Sequence, residues 1–158
     1  MAKKHEESVW DYPRPPRVEA FAWLIEIRHG SYLVAQSSST YRVLETSHPP
    51  VFYIPPADIK MELMSKTGRT SVCEFKGTAV YFDLVMPGLQ VENVAWSYEN
   101  PRHGYEMIKD HLAFYPSKMD ACFVDGERVK PQEGDFYGGW ITANIKGPFK
   151  GGPGTRGW

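Results

Sequence analysis

Apolar and polar positions in the first half of the chain alternate in short bursts, with no sustained helical spacing. Residues 22–28 are rich in aromatic and branched side chains, His29-Gly30 supplies a turn, and residues 32–35 resume as a partner strand. A polar break at 37–40 precedes a short strand or turn over 41–46. If that stretch is extended, Arg42, Leu44 and Thr46 face one way and Val43 and Glu45 the other. Residues 51–54 (VFYI) stand between His48-Pro49-Pro50 and Pro55-Pro56. Proline has no N–H for a sheet ladder, so this strand lies at an edge or ends abruptly at both sides. Residues 58–64 suit one helical turn or a short strand. The clearest extended region is 71–86, with Val80, Phe82, Leu84 and Met86 on one face and Ala79, Tyr81, Asp83 and Val85 opposite. Gly77 within it marks a bulge or a close backbone approach. Pro87-Gly88 then turns the chain, and residues 89–98 return as the hairpin partner.

Asn100-Pro101 has the form of a helix start, an N-cap followed by proline at the first helical position. Tyr105, Ile108 and Leu112 follow at helical spacing, which predicts one short helix near 101–112. Asp125-Gly126 between two strand-like runs predicts a tight hairpin. The first 17 residues, with three prolines in WDYPRPPR, read as an extended arm. The last 21 are rich in Gly and Pro but carry Trp140, Phe149 and Trp158, large apolar groups more suited to a segment that wraps the domain than to a solvated tail. The predicted organisation is an arm over 1–17, a β core over 18–137 and a wrapping segment over 138–158.

Composition narrows the function classes. The 158 residues carry 18 Lys+Arg against 19 Asp+Glu, a net charge of −1, which excludes a basic nucleic-acid footprint spread over the chain. An apolar content of 42% excludes wholesale disorder. No apolar run approaches the roughly 18 residues of a membrane span, and the charged opening MAKKHEES lacks the apolar stretch of a signal peptide. These features predict a cytoplasmic protein that binds neither nucleic acid nor membrane, with Cys73 and Cys122 as free thiols. Oligomeric state is not set by the sequence.

Familiar catalytic motifs are missing. The five histidines form no HxH or HExxH, and no CxxC exists, so neither a metal nor another cofactor is expected. GxSxG and GxxxxGK[ST] are absent. Asp120 and Asp125 flank one strand on opposite faces, and no DxD offers the paired carboxylates with which nucleotidyl transfer holds magnesium. The richest polar clusters are Arg42-Val43-Leu44-Glu45-Thr46-Ser47-His48 and Cys73-Glu74-Phe75-Lys76. Taken as strand, Glu74 and Lys76 share a face. Each charge suits a plain surface ion pair, or a pocket where carboxylate, imidazole and the Tyr53 phenol converge. In that pocket His48, with its near-neutral pKa, is the natural proton shuttle and Glu45 or Glu74 orients it. Trp23, Trp96 and Trp140 suit either core packing or walls that stack a planar ligand.

Several longer stretches carry a family resemblance: RVLETSHPPVFYIPP at 42–56, CEFKGTA at 73–79, AWSY at 95–98, HLAFYP at 111–116, CFVDGE at 122–127 and FYGGWIT at 136–142. With the arm and the C-terminal GTRGW, they make the chain similar to the domain of unknown function 427 family, which also carries a nucleotidyltransferase label. The resemblance implies a mostly β, tent-like pair of antiparallel sheets, as in methionine-R-sulfoxide reductases and the thalidomide-binding domain of cereblon. Many tent-fold relatives pin their sheets with zinc held by CxxC pairs. Such pairs are missing here, so zinc is not expected. The aromatic cage of cereblon-type domains points to a small planar or cyclic metabolite, nucleotide-like among the options, held in a cleft between the sheets. Trp96 and Trp140 would be its walls, with Arg42, Tyr53, Lys76, Glu45, His48 and Glu74 its polar contacts. The alternatives are an enzyme centred on His48 and an interaction module using the Pro-rich arm.

Overall fold

The proline pairs at 49–50 and 55–56 end a strand without pushing it to an edge. In the computed structural model, which describes residues 5–134 and 136–158, Val51–Ile54 lies inside a seven-stranded antiparallel sheet. In chain order the main strands are β1 (Arg17–Phe21), β2 (Ile25–His29), β3 (Tyr32–Ser37), β4 (Thr40–Leu44), β5 (Val51–Ile54) and β6 (Met64–Cys73). They continue as β7 (Gly77–Met86), β8 (Leu89–Tyr98), β9 (Leu112–Phe114), β10 (Ala121–Val124) and β11 (Glu127–Arg128). The large sheet runs β1-β4-β5-β9-β8-β7-β6, and a smaller antiparallel sheet runs β11-β10-β2-β3. The architecture is mostly β, with only single 3-10 turns as helix among the described residues; residues 58–64 lie across two of these turns and the first residue of β6.

The two sheets share one apolar core. Ile25, Ile27 and Val34 of the small sheet meet Phe52, Ile54, Leu84, Leu112 and Phe114 of the large one. Alternation along the strands then sends a second set of side chains to the opposite face, where Val43, Tyr53, Ala79, Tyr81, Trp96, Tyr98 and Ala113 cluster. Asp125 and Gly126 both take positive φ and close the β10–β11 hairpin, the conformation that favours Asp-Gly there.

The helix expected near 101–112 is not formed. A 3-10 turn at Glu106–Ile108 is followed directly by β9. Gly104 and Asp110, at φ of 96° and 61°, leave the helical region on either side of that turn. The Arg102 N–H is drawn instead to the Lys76 carbonyl at 2.9 Å. Glu74 and Lys76 likewise share no strand face, because residues 74–76 are the turn between β6 and β7.

The terminal segments meet each other. Glu7–Ser8 pairs in parallel with Ile145–Lys146, and Val9, Tyr12, Leu44 and Ile145 form a buried cluster beneath them. Trp10 donates its indole N–H to the Pro148 carbonyl at 2.8 Å. Arg42 binds this layer to the sheet: Nε donates to Glu19 at 2.5 Å and Nη2 to Glu7 at 3.0 Å. Burial alone would raise the Glu7 carboxyl, but hydrogen bonds from Arg42 and Tyr12 outweigh it and hold the group below its ordinary range.

Candidate functional site

The face of the large sheet turned away from the shared core is rich in aromatic rings. Tyr53 comes from β5, Tyr81 from β7, Trp96 and Tyr98 from β8, and Tyr115 from the residue after β9. The C-terminal stretch around Phe136–Gly138, with Gln132 and Lys150, closes over them, and together they enclose a cleft of about 330 Å³. That is within the size range of small-molecule sites.

The rings are fixed against one another. Trp96 stands perpendicular to Tyr53 with centroids 6.3 Å apart and donates its indole N–H to the Tyr53 hydroxyl at 3.2 Å. Trp96 and Tyr115 lie 4.7 Å apart, and Tyr53 and Tyr98 6.3 Å apart. Ser71 hydrogen-bonds Tyr81 at 2.9 Å. Burial pushes the phenols of Tyr53, Tyr98 and Tyr115 well above the ordinary tyrosine range, so these hydroxyls stay neutral. Gly138 lets the covering segment approach: a Cβ there would collide with the Trp96 ring.

His48 enters the cleft from the loop between β4 and β5, and its tautomer is set by Gln132. The Gln132 side chain is buried and every polar atom is used. Oε1 accepts the Gly139 N–H at 3.1 Å, and Nε2 donates to the Lys150 carbonyl at 2.7 Å and to His48 Nδ1 at 3.1 Å. The two backbone partners fix which end of the amide is nitrogen, so His48 Nδ1 must accept and the ring proton sits on Nε2. Burial lowers the His48 pKa to about 4, and the charges of Lys150, Arg14 and Lys76 act in the same direction against Glu45. His48 is therefore a neutral imidazole at pH 7.

Lys76 is the other polar feature. It is 9% exposed, lines the cleft, and places Nζ 5.9 Å from the Tyr98 ring centroid. Glu45 is the only acidic residue among the described lining residues, and Arg14 pairs with it at 3.4 Å.

Residues 17–125 match the model of a family described as a domain of unknown function, DUF427. The chain belongs to the DUF427 family. No curated protein matches it. The matched span of this DUF427 chain holds β1 to β10 and the aromatic floor with His48 and Lys76. Gln132, Phe136, Tyr137 and Lys150, which cover that floor, lie beyond it.

Of the residues singled out in the sequence, Glu45, His48, Tyr53, Lys76 and Trp96 line this one cleft. Three do not. Arg42 points from β4 to the other side of the sheet and lines a separate cavity of about 250 Å³, where its charge is already met by Glu7 and Glu19. Trp140 borders that same cavity; it is 1% exposed, packs 5.1 Å from Phe52 and donates its indole N–H to the Phe114 carbonyl at 3.1 Å, so it is part of the core. Glu74 is exposed on the β6–β7 turn. Among the described residues no carboxylate hydrogen-bonds the His48 ring; the Gln132 amide occupies that position.

Tyr98 and Tyr115 were within reach of the sequence. Tyr98 sits two positions from Trp96 on one strand, and Tyr115 two from Ala113, just past the end of another. The expected helix over 101–112 hid the second. Gln132 had no local signature.

Proposed function

We propose that this domain binds a small planar or cyclic metabolite in the aromatic cleft. The observation that carries the reading is the convergence, in one cleft of about 330 Å³, of five buried aromatic side chains, Tyr53, Tyr81, Trp96, Tyr98 and Tyr115, with a single neutral imidazole. Tyr53, Trp96, Tyr98 and Tyr115 offer ring faces for stacking, which is energetically useful for any flat ligand. The tyrosine hydroxyls and the His48 Nε2–H offer directional contacts at its edge. Phe136, 61% exposed at the cleft margin, is an apolar group that a ligand would cover.

Binding is favoured over catalysis. A general base works best with a pKa near the operating pH, whereas His48 is held near 4 and its Nδ1 is taken by Gln132. The neutral tyrosines are hydrogen-bond donors, not proton acceptors, at pH 7.

Thermal-shift screening against nucleosides, nucleotides and cyclic imides tests the reading. Hits that raise the melting temperature and weaken in Trp96→Phe and Tyr137→Ala support it. Hits that are indifferent to both substitutions, or no hits at all, overturn it.

A further inference from the structure

We infer that the metabolite held in the cleft is an anion, a flat ring bearing one carboxylate or phosphate group, and that Lys76 is its counter-charge. This deepens, and rests on, the ligand-binding reading above. A buried ammonium is costly unless it is paired. Among the described residues no carboxylate lies within ion-pair distance of Lys76 Nζ, and the Tyr98 ring face at 5.9 Å offers only a weak cation–π contact.

The lysine is held in this position by the fold. The turn that carries it is braced from outside: Arg102 donates its backbone N–H to the Lys76 carbonyl at 2.9 Å and its guanidinium to the Glu74 carbonyl at 2.6 Å. The next residue, Gly77, has φ of 113° and would bring a Cβ to 3.3 Å from the Asn100 carbonyl, so the turn needs glycine to sit this close. The result inverts the ordinary preference of a surface turn, with Glu74 outside and Lys76 inside.

The charges around the cleft agree. Lys150 lines it as well, with Nζ 6.0 Å from the Tyr137 ring centroid and a hydrogen bond to the Trp158 carbonyl. Glu45, the acidic lining residue, is already neutralised by Arg14. A neutral His48 adds a donor without adding charge. Among the described lining residues two lysines thus stand against one carboxylate, and the ligand part best matched to them is an anionic oxygen group beside a ring that stacks on the aromatic floor. The volume suits one ring system with one such substituent better than a dinucleotide.

Calorimetric titration with matched pairs tests this: nicotinate against nicotinamide, benzoate against benzamide, and adenosine monophosphate against adenosine. The anionic member of at least one pair should bind about tenfold or more tighter than its neutral partner, as a charge-assisted hydrogen bond in a desolvated site implies. That preference should shrink with added salt, vanish in Lys76→Met and survive in Lys76→Arg. The carboxylate pairs and the phosphate pair separate the two sources of negative charge. Equal binding of both members, or an undiminished preference in folded Lys76→Met, overturns the charge assignment while leaving ligand binding intact. Should Lys76→Met fail to fold, a salt-independent preference in the unaltered protein overturns it instead. Binding by no member of any pair overturns the ligand-binding reading, and this inference with it.

Discussion

Gln132 donates to His48 Nδ1 across 3.1 Å, and this one contact decides what kind of group the histidine is. The amide cannot rotate, because its oxygen is held by the Gly139 N–H and its second N–H by the Lys150 carbonyl. The bond to His48 ties the β4–β5 loop to the covering segment, and the other two hold that segment together. Nitrogen-15 spectra at pH 7 should accordingly show His48 as a single tautomer protonated at Nε2. Gln132→Leu should release the ring to a mixture of tautomers and destabilise the fold by roughly 1–3 kcal/mol, since it strands a buried N–H and a partly buried carbonyl. An unchanged spectrum in that variant would show that something else fixes the ring.

A second expectation follows from the His48 pKa near 4, lowered first of all by burial, against about 6.5 in an unfolded chain. The unfolded state takes up the proton first as pH falls, so the native state loses relative stability between pH 6.5 and 4 and gains nothing further above 6.5. One pKa unit corresponds to about 1.4 kcal/mol, which puts the full loss near 3 kcal/mol. Denaturant titrations at pH 7 and pH 5 should show about 2 kcal/mol of it, and His48→Gln should flatten the slope. The interval above pH 5 keeps most carboxylate titration out of the comparison.

The two-residue period of the strands was readable in advance, and it already carried more of the site than the polar clusters did. It placed Phe82, Leu84 and Met86 opposite Tyr81, as the two faces of β7 now have them. It also set Arg42 apart from Glu45, although both were grouped as contacts of one pocket. The alternation was the better guide: Glu45 lines the aromatic cleft and Arg42 the cavity on the other side. Trp140 misled for a different reason. An indole at the start of a Gly-rich segment looks the same in sequence whether it covers a ligand or the core, and only the Phe114 carbonyl and the Phe52 ring distinguish the two. The helix over 101–112 failed because propensity at Asn100-Pro101 was outweighed by long-range pairing, with β9 inserted between β5 and β8. Gln132 matters through partners 7, 18 and 84 positions away, so no local pattern pointed to it.

Gly138→Ala is expected to disturb the cleft selectively. The added methyl meets the Trp96 ring, and either that ring or the covering segment must move. Overpacking of this kind costs about 1–3 kcal/mol. Tryptophan fluorescence should shift as Trp96 is displaced, and ligands found by screening should weaken. A variant with unchanged melting temperature and unchanged fluorescence would mean the segment has room that the geometry does not give it.

Arg42 offers a test of how the arm is held. Arg42→Met removes the cation between Glu7 and Glu19, both partly solvent-accessible, so the loss should be about 1–3 kcal/mol, below that of a fully buried pair. The Glu7 carboxyl is below its ordinary range in the folded state, so the stability it contributes is present above the carboxylate range and lost as pH falls through it. Arg42→Met should reduce that acid sensitivity. It should also expose the arm to limited proteolysis near residues 7–17 while leaving the rest of the chain resistant.

The two cysteines should behave as different chemicals. Cys122 is 2% exposed in the core between the sheets, and burial pushes its thiol up to about 12. Cys73 ends β6 at the border of the aromatic cleft and is only partly buried. Because the thiolate is the nucleophile, a raised pKa and burial together protect Cys122. Iodoacetamide on the folded protein should therefore modify Cys73 and spare Cys122, and both should react after denaturation, as peptide mass mapping would show. A ligand in the cleft should slow the Cys73 reaction, and prior alkylation of Cys73 should lower ligand affinity. Protection of Cys73 that follows ligand concentration with the same midpoint as calorimetric binding would locate the ligand against β6 and the turn that bears Lys76; modification unaffected by a saturating ligand would place that ligand elsewhere.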